Sequence, residues 1–181
     1  MALEKRLPLW LGNGIEVVGV IIGSILLISV QTGIPQLLSL ILLVVSWMCF
    51  WFFPHCLTHY IVGRIVGIRF SHYVIADSAI EKLDIPVASW LVSAIPVLGI
   101  RVREIGFDGV SPTGRKAMFY SGTFASIFFP LIVVFYAVAY TSTLLTVLVA
   151  ALTLGNGVFT LYFSPKCGDI DRSRRIRNGV S

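Results

Sequence analysis

Long apolar runs separated by short polar punctuation dominate the chain, and four of them read as membrane spans. Crossing about 30 Å of hydrocarbon takes roughly 20 helical residues. The runs cover residues 15–30, 36–66, 117–140 and 144–163, the second taking in Phe53 and two histidines. Gly33-Ile34-Pro35 and Thr141-Ser142-Thr143 are short connections between neighbouring spans. A fifth apolar run, Ile85 to Ile100, holds Pro86, Pro96 and Gly99 and has 16 residues. That length and those breakers suit a re-entrant or interfacial segment better than a span.

Between the second and third spans, residues 69–116 follow another pattern. "IRFSHYVIADSAI" is rich in β-branched and aromatic residues, and "GIRVREIGFDGVSP" alternates imperfectly with period two. Both read as strand rather than helix. The expected fold is therefore an all-α membrane protein. It has four transmembrane helices, a small strand or re-entrant segment, and one domain over residues 1–181.

Composition agrees with this. Hydrophobic residues make up 56% of the chain and charged residues 13%, against roughly 25% charged in a soluble domain. The formal net charge is +5, and its placement sets an orientation. With four spans and a cytoplasmic N-terminus, all 14 Lys and Arg residues fall on the cytoplasmic side or its border, as the positive-inside rule requires. A fifth span would carry Arg172, Arg174, Arg175 and Arg177 outside. The expected chain is thus a multi-pass membrane protein with both termini cytoplasmic. Its basic tail "DRSRRIRNGVS" lies near anionic lipid headgroups, or serves simply as an orientation signal. Lys5 and Arg6 precede an apolar run without a small-x-small cleavage site, so the first span reads as an uncleaved helix. Three cysteines, Cys49, Cys56 and Cys167, give no even framework for disulfides. Nothing in the composition points to nucleic acid; lipids and membrane proteins are the expected partners.

The chemistry concentrates in "FFPHCLTHYIVGRIVGIRF". His55 and His59 are four residues apart and share one helix face. Neutral imidazoles at that spacing can both reach one Zn²⁺, and polar groups in hydrocarbon are usually functional or paired. Hydrogen bonding to neighbouring helices, or axial ligation of a pigment or haem by one ring, would also explain them. Pro54 removes a backbone donor and predicts a kink beside them. His72 reads as an interfacial residue or a further ligand. The pairs Gly19/Gly23 and Gly63/Gly67 predict close helix packing.

"HCLTHYIVGRIVGIRF" resembles the His-Glu-x-x-His helix of the site-2 proteases, the intramembrane zinc metalloproteases, down to Gly63, Gly67 and Ile68 leading into a strand. "SPTGRKAMFYSGTFASIFFPLIV" is similar to that family's next span. "LGNGVFTLYFSPKCGDI" is similar to its last core helix, in which an asparagine precedes a metal-binding aspartate. The order of elements agrees over about residues 36–175. The resemblance implies zinc held by His55, His59 and Asp169, with Asp171 the lesser carboxylate and Asn156 in support.

Cys56 stands where the family has its glutamate. A buried neutral thiol is a poor proton acceptor beside a carboxylate. Asn156 and Asp169 are also 13 residues apart, wider than the family usually shows. The expected function is accordingly a non-catalytic, pseudoprotease-like protein that binds membrane partners and keeps a metal site. The alternatives are an active divergent zinc metalloprotease, with no catalytic residue assignable from the motif, and a small subunit of a larger membrane complex. Glu16 is the one further carboxylate in a hydrophobic run, and it reads either as a divergent base or as an interfacial residue. A transporter is disfavoured by the lack of a repeated half.

Overall fold

The computed structural model describes residues 5–31, 33–76, 97–103 and 106–177. The helices are α1 (Leu9–Ile28), α2 (Gln36–Ile65), α3 (Pro112–Phe128), α4 (Leu131–Tyr140), α5 (Thr143–Cys167) and α6 (Asp169–Arg177). The strands are β1 (Lys5–Leu7), β2 (Phe70–Ala76) and β3 (Val97–Val102). Four helical segments are long and apolar enough to cross a membrane: Leu9–Ile28, Gln36–Ile65, Pro112–Tyr140 and Thr143–Arg174. Their outer faces leave Ile25, Leu37, Phe135 and Leu154 exposed. Such a surface is compatible with lipid and would be an aggregation hazard in water.

The third segment is made of α3 and α4. Pro130 has no N–H to donate and interrupts the helix. Ile132 N–H donates to Phe129 O at 3.0 Å and Val133 N–H to Pro130 O at 3.1 Å. These tight turns keep the backbone paired across the break, which lipid demands. α2, by contrast, stays one helix with Pro54 inside it.

α1 buries Gly12, Glu16, Gly19, Gly23 and Leu27, which at steps of three and four lie on one face. A Cβ at Gly19 would overlap the Phe53 ring, and one at Gly23 would crowd Cys49. Only glycine lets the two backbones come this close. The helix starts at Leu9, six residues before the 15–30 span read from hydropathy. Gly12, Asn13 and Gly14 look like loop. However, Gly12 seats the Tyr73 ring, and Tyr73 Oη–H donates to Asn13 Oδ1 at 2.7 Å. That tertiary contact overrides local propensity. Burial pushes the Tyr73 phenol above its ordinary pKa, so it stays a neutral donor.

The strands form an antiparallel sheet in the order β1-β2-β3, with Leu7 opposite Tyr73 and Tyr73 opposite Ile100. β2 falls within the first stretch that reads as strand, and β3 begins at Val97, two residues before the second. β1 has too few residues to show a period. The sheet gathers the start of α1 and the end of α2 at one end of the bundle. α2 closes with Gly67 at φ +91°, Ile68 N–H reaching back to Gly63 O at 2.8 Å. This left-handed cap is one that glycine adopts without strain. α3 opens with Ser111 Oγ accepting from Gly114 N–H at 3.1 Å, and with Pro112 in the first turn. Most of the Ile85 to Ile100 run lies outside the described residues, and its last four residues, 97–100, are in β3.

Two apolar clusters fill the bundle. One joins Leu43, Trp47, Phe50, Val133 and Val149. The other, beside the sheet, joins Ile68, Phe70, Val110 and Met118. The polar residues of interest lie between them.

Candidate metal centre

His55 and His59 both project from the second half of α2. At 1.5 Å per residue they stand about 15 and 9 Å from its end at Ile65. α5 continues through Pro165 to Cys167, and the chain then turns at Gly168 into α6. The turn is held by Gly168 N–H to Ser164 O at 3.2 Å and by Ile170 N–H to Ser164 Oγ at 3.4 Å. Ser164 Oγ also pairs with Thr123 Oγ1 of α3 at 2.9 Å. This junction delivers Asp169 to the histidines.

Asp169 Oδ2 lies 3.2 Å from His55 Nε2 and 3.2 Å from His59 Nε2. One ligand atom from each of the three residues falls within 4.8 Å of the others. Metal–nitrogen bonds of about 2.0–2.1 Å in a tetrahedral site put neighbouring donor atoms about 3.3 Å apart, so the two histidine–aspartate edges already have the spacing of a shared ion. The imidazoles meet edge to face, with ring centroids 4.8 Å apart.

The opposite ring nitrogens are anchored. His59 Nδ1 contacts Met118 O at 2.6 Å. A carbonyl only accepts, so Nδ1 carries a proton, and in the metal-binding form of the ring Nε2 presents a lone pair. That lone pair faces a carboxylate oxygen, and a cation between them would satisfy both. His55 Nδ1 pairs with Ser126 Oγ at 2.9 Å. Asn156 is buried and donates from Nδ2 to Ser126 O at 2.8 Å. It therefore supports the site through Ser126, one bond further out than a direct contact with a ligand. Gly122 leaves the room that the His59 ring occupies, since an added Cβ would overlap the imidazole.

Other sequence candidates lie elsewhere. Asp171, two residues further along α6, is not in the convergent group. His72 is in β2 opposite Arg101 and is likewise outside it. Cys56 Sγ donates to Leu98 O of β3 at 3.0 Å, so the thiol is engaged with the sheet and takes no part in the ligand group.

A cavity of about 320 Å³ opens onto the three residues, with Glu16, Cys56 and Leu98 among its walls. Both Glu16 carboxylate oxygens are buried, and among the described residues neither is met in full hydrogen-bond geometry. Hydropathy alone could mark Glu16 as unusual but could not place it here. Ser126, Met118 O and Gly122 were not foreseen either. A backbone carbonyl has no sequence signature, and one serine among the small residues of α3 does not stand out.

The chain matches no family model, no curated protein and no solved structure. Its function is therefore argued from the site itself.

Proposed function

We propose that this protein is a membrane-embedded zinc hydrolase of the site-2-protease kind that cuts amide bonds in membrane-associated polypeptides. The observation that carries the reading is the donor set: two anchored imidazoles and one carboxylate oxygen meeting beside a cavity. Three protein ligands with a fourth position open is the pattern of catalytic rather than structural zinc. Zinc bound there supplies Lewis-acid polarisation of a carbonyl and acidifies water.

The chain's residues supply the rest. His55, His59 and Asp169 bind the ion, and Ser126 and Met118 O orient the rings. The apolar walls restrict water. β3 pairs with β2 and, among the described residues, has no strand on its other side. Its residues Leu98 to Val102 line the same cavity. A strand edge of this kind would suit an extended peptide, which pairs through backbone hydrogen bonds. The positive-inside bias supports a cytoplasmic placement of this end of the bundle and of both termini.

A non-catalytic relative that binds membrane partners is the second reading, favoured by Cys56 in the motif. The test is metal analysis of the purified protein followed by cleavage of a single-span fluorogenic peptide in lipid vesicles. About one zinc per chain with zinc-dependent cleavage is expected. No stoichiometric metal would overturn the reading, and metal without cleavage would favour the binding protein.

Ser126→Ala removes the partner of His55 Nδ1. Loss of such support typically costs 10–100-fold in metal affinity, and that range is expected here by chelator competition. Unchanged affinity would mean that Ser126 only fills space.

A further inference from the structure

The α2 motif lacks a carboxylate, and α1 brings one to the same cavity. α1 and α2 are consecutive helices joined by a short connection and packed antiparallel, so one turn earlier on α1 meets one turn later on α2. Gly19 seats Phe53; Glu16, one turn earlier, therefore comes level with Cys56 and Leu57. Its carboxylate lies against both of these residues.

The Leu57 backbone N–H and the Cys56 thiol are the polar groups nearest that carboxylate. Glu16 is 1% exposed, and among the described residues neither oxygen is met in full hydrogen-bond geometry. The neighbouring thiol gives its proton to Leu98 O at 3.0 Å. Among the described residues, no Lys or Arg pairs with Glu16. Burying a carboxylate without partners costs several kcal/mol. A residue with a purely structural role on a glycine-lined packing face would be small or apolar. The site it faces, lined also by His55, Cys56, His59 and Asp169, is one where a polar ligand would meet it.

We propose that Glu16 is the proton acceptor and donor of the hydrolytic reaction, supplying from the first span the carboxylate that Cys56 displaced from the second. The inference rests on the hydrolase reading above. In the step it implies, water oxygen bonds to the amide carbon and a water proton passes to a Glu16 oxygen. That proton is then delivered to the amide nitrogen as the C–N bond breaks. The products are a carboxylic acid and an amine, with no oxidant or reductant required.

The test compares wild type, Glu16→Gln and the double variant Glu16→Gln/Cys56→Glu. Two measurements are made on each: zinc affinity by chelator competition, and cleavage of the single-span fluorogenic peptide in vesicles. Glu16→Gln should lower kcat by about 10²–10⁴-fold, the range for general acid–base catalysis. Its zinc affinity should stay within about threefold of wild type, because Glu16 is not a ligand. The double variant should regain at least about tenfold of the lost rate, since position 56 faces the same space from the other helix. Cleavage by Glu16→Gln within about threefold of wild type would overturn the proposal. So would a zinc affinity lowered tenfold or more, which would make Glu16 a ligand, or failure of the double variant to recover. A wild type that binds zinc and does not cleave would overturn the hydrolase reading and this inference together. A cleaving wild type with an unaffected Glu16→Gln would overturn the inference alone.

Discussion

Asp169→Asn is expected to abolish retention of stoichiometric zinc through purification, with an affinity loss larger than the 10–100-fold that removal of a supporting partner costs. The reason is geometric. One oxygen, Oδ2, serves both imidazoles at 3.2 Å, so among the described residues it is the only anionic donor common to the pair. An asparagine amide is nearly the same shape but neutral, and it binds a hard or borderline cation weakly. The histidines would keep their outer anchors on Ser126 and Met118, so the fold should survive. Asp171→Asn is the control. It removes an equal charge from the same helix, outside the convergent group, and should leave affinity within about threefold. The measurement is chelator competition on both variants, with far-UV circular dichroism to confirm folding. Wild-type affinity in Asp169→Asn would sink the triad.

Gly122→Ala is expected to do comparable damage to metal binding without replacing a ligand. An added methyl would fall on the His59 imidazole. That ring cannot simply swing aside, because it is 4% exposed and tied at Nδ1 to Met118 O. Either the ring leaves its anchor or α3 moves away from α2. Overpacking of this kind typically costs 1–3 kcal/mol, and the displaced Nε2 should lower zinc affinity by about 100-fold or more, beyond the range for a lost supporting partner. Gly155→Ala is the control, since nothing lies within 4 Å of its added Cβ; in a helix that change should be neutral or stabilising by up to about 1 kcal/mol. Adding His59→Ala to Gly122→Ala should restore much of the stability and none of the metal binding. Thermal unfolding in detergent, read beside metal affinity, separates the two effects. A Gly122→Ala protein with unchanged affinity would mean that His59 has slack which the packing does not suggest.

The spans and the histidine pair were legible because both depend on local period. Apolar runs mark lipid-facing helices, and a four-residue spacing marks one helix face. Asp169 was legible through the order of elements. Its delivery to the site, however, depends on Gly168 and Ser164 turning α5 into α6, and no simple pattern announces that turn. Glu16 was visible as a charge in an apolar run, while its destination depended on how α1 packs. The glycines at 12, 19 and 23 mark the face on which it lies, but the register against α2 is a property of two helices together. β1 was illegible because its three residues become a strand only when β2 is there to pair with them.

The separation of the ligands along the chain has a consequence for biosynthesis. His59 and Asp169 are 110 residues apart. At about 5–20 residues per second, the ribosome needs roughly 5–20 s after making the histidines before it reaches the aspartate. During that interval the first two helices can enter the membrane with two of the three ligands already in place on α2. An ion bound there would have all three ligands only once Asp169 arrives. A chain truncated before residue 169 would therefore lack the complete site, and on the hydrolase reading proposed above a nascent chain could not cut its neighbours before Asp169 had been made.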